Sequence, residues 1–162
     1  MKQPQPKTDT PHKVTHVSDG SLKQFVGYHL KRASNAVLLD LALVLKPLEL
    51  RMITYTALVL IVDNPGMRQS QLATAMDVER PNLVVIIDEL ERRELIVRDK
   101  VPTDRRAYAL RATLAGHQLY ERALKDVNAH EVALLDGIDP KDLETLTSVA
   151  LQIQKNALRN GK

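Results

Sequence analysis

Residues 69–113 hold two short helix-period segments that run straight into a charged hairpin, and few folds accept that order. The first segment spans about Ser70 to Met76 and the second about Pro81 to Arg93, with Asp77-Val78-Glu79-Arg80 between them. Leu95-Ile96-Val97 leads into the hairpin and Tyr108-Ala109-Leu110 leads out of it. Two short helices joined by a tight turn, the second followed by a hairpin, make a winged helix-turn-helix. Asp63-Asn64-Pro65-Gly66 is a strong turn just upstream.

Long helix-period stretches flank this unit. Ser21 and Gln24 have capping-box spacing, which predicts a helix starting at Ser21. Apolar residues then recur at helical spacing from Leu22 through Phe25, Leu30 and Val37 to Val44. Pro47 breaks or restarts that pattern, and a second helix is expected from about Leu48 to Val62. Downstream, a long helix is predicted from about Ala112 to Leu135, stopped by Gly137. Asp139 as cap and Pro140 in the first turn open the last helix. The fold class is therefore mainly α with a small two-stranded β wing.

Charge separates along the chain. Residues 98–113 carry Arg98, Lys100, Arg105, Arg106 and Arg111 against Asp99 and Asp104, a local net of +3. Residues 121–144 carry three cations against seven acids, a local net of −4. A polyanion would approach one end and avoid the other. With 162 residues the chain buries enough surface for a core without staples. It has no cysteine, which excludes disulfides and thiolate chemistry. No apolar run approaches the ~18 residues of a membrane span, and the polar start is not a secretory signal, so a cytoplasmic location fits. No nucleophile elbow, dinucleotide fingerprint, phosphate loop or zincin motif occurs, so an enzyme is not expected. The five histidines do not cluster in sequence. His117 and His130, 13 residues apart, fall on nearly opposite faces of one helix. No cofactor or metal is expected.

Asp104-Arg105-Arg106-Ala107, then Leu110, Thr113 and Gly116, resembles the wing signature of the MarR (multiple antibiotic resistance regulator) family. Gln69-Ser70-Gln71-Leu72-Ala73 resembles the start of that family's first helix in the DNA-binding lobe, and Asp88 to Arg93 the end of its recognition helix. The likeness covers about residues 20–155. It implies a homodimer in which helices from 20–46 and 112–162 interlock, a winged DNA-binding lobe over 47–111, and an N-terminal arm over 1–19. Two such lobes would read a pseudo-palindromic operator, most often as a repressor released by a small ligand. The family often has Gly where Glu94 stands, and polar residues where Val84 and Val85 stand.

The second short helix would enter the major groove by its N-terminal turns. Arg80 and Asn82 have base-reading chemistry there, and Val85 adds an apolar group that can pack on a thymine methyl. Arg68, Ser70 and Gln71 lie where backbone N–H groups of the preceding helix favour a phosphate. At the wing, Arg105 is the candidate for the minor groove, oriented by Asp104, with Lys100 and Arg106 on phosphates. An effector site would lie between the lobes, with Tyr28, Arg32, Arg51 and Tyr55 able to bind an anionic aromatic. The segments around Leu48–Gly66 and Glu79–Leu95 resemble a branch of the family linked to aromatic catabolism. That likeness points to an aromatic acid or its coenzyme A thioester. The competing reading is a winged helix that binds proteins and has no operator.

Overall fold

The computed structural model describes residues 17–101 and 104–160, with side chains outside 101–107 and 160. Most of the predicted arm lies outside these residues. The chain divides into two compact units, one ending at Ala36 and one beginning at Val37.

In the first unit, the predicted cap at Ser21 is not used. Residues 20–24 are turns, and helix α1 (Val26–Leu45) starts five residues later. Asp19 displaces the capping box: its carbonyl accepts from the N–H groups of Leu22 and Lys23 at 2.9 and 3.1 Å. Gln24 donates from its side chain to the Ser21 carbonyl rather than reaching back to an N–H. α1 runs on into the second unit.

The second unit continues with a 3-10 turn (Lys46–Leu48), α2 (Met52–Asp63), β1 (Met67–Arg68), α3 (Gln69–Met76) and α4 (Arg80–Arg92). The strands β2 (Ile96–Val101) and β3 (Asp104–Ala112), then α5 (Leu114–Leu134) and α6 (Pro140–Asn160), complete it. α2 begins four residues later than the spacing predicted. Pro47 sits in the 3-10 turn, and Glu49 leaves it with a left-handed φ of 53°. The hydroxyl of buried Thr54 then accepts from the Arg51 N–H and donates to the Arg51 carbonyl, both at 3.0 Å. A fully buried hydroxyl satisfied in both directions carries little desolvation cost.

The wing sheet has a third strand that the sequence did not announce. β1 pairs antiparallel with β3, giving the order β1-β3-β2. Two residues, Met67 and Arg68, are too short to show a period of two.

The core lies in this lobe. Leu45, Leu58, Ile61, Leu72, Leu83, Ile87, Leu90, Ile96 and Leu110 are essentially out of water. Each contributes roughly 1.5–3 kcal/mol of transfer free energy. Gly116 fixes how α5 joins that core. A Cβ there would stand 2.0 Å from the Leu95 carbonyl oxygen, so only glycine lets α5 pass this close to the start of the wing. Thr113 caps α5 by accepting from the Gly116 N–H at 3.0 Å, and its hydroxyl donates to the Glu94 carbonyl at 2.7 Å.

Candidate nucleic-acid interface

α4 turns its apolar stripe inward and leaves a defined outer face. Leu83, Ile86, Ile87 and Leu90 are buried at helical spacing. Arg80, Pro81, Asn82, Val84 and Val85 are exposed on the first turn and a half. Pro81 suits this position, where an N–H would lack a helical partner anyway. The base-reading candidates Arg80, Asn82 and Val85 are thus together at one solvent-facing helix start.

α4 ends with the Leu95 N–H donating to the Leu90 carbonyl at 3.0 Å and the Glu94 N–H to Glu91 at 2.8 Å. This is the pattern of a Schellman motif, which places its turning residue in the left-handed region. Glu94 occupies that place with φ 56°, where an L side chain is strained. α3 ends the same way on Asp77, with φ 51°.

Arg68, Ser70 and Gln71 are exposed around the start of α3. The Gln71 side-chain oxygen accepts from the Arg68 N–H at 2.8 Å, so part of Gln71 serves as a cap. Lys100 is exposed on β2. Asp104, Arg105 and Arg106 are strand residues of β3 by backbone, and their side chains lie outside the described residues.

The wing's charge resolves into two kinds. Arg98 is partly buried and bridges Asp88 and Glu91 of α4, the latter at 2.8 Å. Arg111 donates to Asp99 across the hairpin at 2.6 Å. Asp99 is accordingly held below the usual carboxylate range by the Arg111 hydrogen bond. Two of the five cations are therefore structural. Sequence reasoning missed the brace from wing to α4, because the Arg98 partners lie 7 and 10 residues away and only packing brings them together.

The candidate effector residues fall into both units. In the first unit, the Tyr28 hydroxyl donates to Asp19 at 2.5 Å and Arg32 donates to the Tyr28 oxygen at 3.1 Å. Lys23 pairs with the same carboxylate at 2.8 Å. The Lys23 and Tyr28 hydrogen bonds lower the Asp19 carboxyl to about 2. In the second unit, Arg51 at the start of α2 pairs with Glu89 of α4. Tyr55 packs half-buried at the edge of the core, and burial pushes its phenol up. Among the described residues no group of three or more histidine and carboxylate side chains could hold a metal ion. None of the described helices is long and apolar enough to cross a membrane.

The model of the MarR family matches residues 51–108, the stretch from the start of α2 into the wing. A protein of Thauera aromatica named as a transcriptional regulatory protein for the hcr operon is 41% identical over 104 residues. That match takes in 64% of this chain and 63% of the relative's length. Among solved structures, the transcriptional repressor CouR bound to a 23-mer DNA duplex superposes with a TM-score of 0.82 at 34% identity. It covers 86% of this chain and 99% of that one. CouR bound to p-coumaroyl-CoA superposes at 0.78 with 32% identity, over 86% and 98% of the two chains. CouR from Rhodococcus jostii RHA1, also bound to p-coumaroyl-CoA, gives 0.73 at 28% identity over 83% and 94%. The helix order, the winged lobe and this similarity over nearly the whole of a solved relative agree: the chain belongs to the MarR family of winged helix-turn-helix transcriptional regulators.

Proposed function

We propose that the chain is a homodimeric repressor that occupies a pseudo-palindromic operator and is released by an anionic aromatic acid or its coenzyme A thioester. The observation that carries this reading is the solvent-facing start of α4, where Arg80 and Asn82 stand clear of the core, together with the exposed residues at the start of α3. That arrangement presents base-reading side chains on a rigid helix. The repressor bound to a DNA duplex, 34% identical and of the same fold, supports it. Lys100, Arg105 and Arg106 supply the wing's contacts to the duplex, with Arg105 in the minor groove and Asp104 orienting it. Arg68, Ser70 and Gln71 hold a phosphate.

The dimer is supported by the outer helices. No described residue of α6 is buried, yet Leu146, Val149, Leu151, Ile153 and Leu158 lie along it exposed. α1 buries only Leu41 and Leu45, leaving Leu38, Leu39 and Leu43 to solvent. Apolar surface of this extent fits a second copy.

The effector class is supported by the CouR structures bound to p-coumaroyl-CoA. Tyr55 and Arg51 would meet the ligand's aromatic and anionic parts, and Tyr28 and Arg32 are further candidates. Arg51 holds Glu89 of the reading helix. An anion that draws Arg51 away would loosen α4 and give release a route, because a ligand shifts an equilibrium only through differential contacts.

The test is a fluorescence-anisotropy titration of the purified chain onto the DNA flanking its own gene. It uses excess non-specific competitor and two salt concentrations. Tight, competitor-resistant binding that weakens steeply with salt is expected, and Arg105→Ala should lower the slope of log affinity against log salt by about one. p-Coumaroyl-CoA, p-coumarate and coenzyme A added separately then read release. Binding no tighter than to random DNA, with no salt slope, would return the winged lobe to the protein-docking reading.

A further inference from the structure

The outer face of α4 carries an apolar pair that its fold does not use. Val84 is 41% exposed and Val85 63%, while the inward stripe is complete without them. Valine is a weak helix former, so two adjacent valines on an exposed helix face gain nothing in local stability. β-Branching does fix their χ1 angle in a helix, so the pair presents methyl groups in set positions. Arg80 and Asn82 precede them on the same exposed turns, which supplies polar readers on one side of an apolar one.

In the major groove one feature is apolar and specific to one base, the C5 methyl of thymine. Phosphates, sugars and the other base edges offer polar partners and would be met better by Lys, Asn or Ser. Resting on the DNA-binding reading above, we infer that Val84 and Val85 read thymine methyl groups in each operator half-site. This makes them specificity-determining residues, with Arg80 and Asn82 reading the neighbouring polar edges. The pair lies one turn inside the helix start, so the methyl-read positions flank those read by Arg80 and Asn82 within the same half-site.

The test separates this inference from the reading it rests on. The full chain first selects its preferred sequence from a random duplex pool. Each thymine of the selected half-site is then replaced by deoxyuridine, which removes the C5 methyl and leaves Watson–Crick pairing intact. One or two positions per half-site should weaken binding by about fourfold each, the equilibrium factor for losing the burial of one methyl-sized group. In Val84→Ala and Val85→Ala, which keep the helix because alanine is the better helix former, deoxyuridine should no longer matter at those positions. A selected consensus that is indifferent to deoxyuridine throughout would overturn the methyl assignment and leave operator binding standing. So would equal sensitivity in the wild-type chain and both alanine variants. A pool that enriches no sequence would overturn operator reading, and the methyl assignment with it.

Discussion

The winged lobe and the outer helices spend their apolar residues in opposite ways. In the lobe, leucines and isoleucines from α2, α3, α4 and the sheet meet one another and leave water within a single copy of the chain. Along α6 Leu146, Leu151, Ile153 and Leu158 stay wet, and no described residue is buried. The lobe thus closes its core within one copy of the chain, with Leu41 and Leu45 of α1 and Leu119 and Ala123 of α5 completing it, whereas on the proposed reading α6 covers its apolar residues by association. The same hydrophobic period thus means core in one place and interface in another, and the sequence pattern does not distinguish them.

The largest expected effect breaks the outer half of that contrast. Leu146→Glu with Ile153→Glu, two exposed residues on one face of α6, should weaken self-association at least 100-fold, since buried unpaired charge at an interface costs several kcal/mol. Light scattering after gel filtration should then report the mass of one 18.2 kDa chain where the unmodified protein gives twice that. A double variant that still runs at twice the mass would place the interface elsewhere.

Next comes the lobe itself. Gly116→Ala drives a methyl into the Leu95 carbonyl, and backbone on both sides must give. A loss of about 3 kcal/mol is expected, lowering Tm by roughly 10 °C in a thermal melt. An unchanged Tm would mean that α5 is free to shift away from the wing.

A gain of smaller size is expected at the end of α4. Glu94 sits at φ 56°, so Glu94→Gly removes left-handed strain and should stabilise the lobe by about 0.5–1 kcal/mol in denaturant titration. A destabilised variant would show that the Glu94 side chain makes a contact worth more than the strain.

The smallest effect concerns the polar knot of the first unit, held by ion pairs, hydrogen bonds and the Arg32 guanidinium over the Tyr28 ring. The Asp19 carboxyl is depressed from the usual 3.8 to about 2, first by the Lys23 hydrogen bond and then by Tyr28. A depressed carboxyl contributes stability that is present above 3.8 and lost as pH falls through about 2. The Asp19 carboxyl carbon followed by NMR should titrate near the lower value, and Lys23→Ala should move its midpoint upward. A midpoint near 3.8 in the unmodified chain would mean that the knot is open in solution.

Elements whose cause is local were legible in the residues. Asp139 accepts from the Lys141 N–H at 2.8 Å, as its place before Pro140 announced. Gly137 takes φ 79°, as the helix stop required. The two helices of the helix-turn-helix stand within a residue of their predicted bounds because period and breakers coincide there, and both wing strands fall within the expected 95–113 stretch. What failed locally did so through a neighbour: Ser21 has the right spacing for a cap, but the Asp19 carbonyl gathers the Leu22 and Lys23 N–H groups into a turn there.

By itself, then, the amino-acid order determined the helix periods, the turns, the basic hairpin and the family they resemble, because each depends on residues within a few positions. Tertiary structure alone decided which charges are free. Arg98 and Arg111 look like wing cations in the sequence, and packing turns them into braces to Asp88, Glu91 and Asp99. It also decided that Gly116 is a point of contact, that Met67 and Arg68 form a strand, and that Val84 and Val85 face outward while Ile86 and Ile87 face in. Those outcomes depend on what a residue meets from the rest of the chain. A helical period specifies which residues share a face, and only the packed neighbours specify which face is wet.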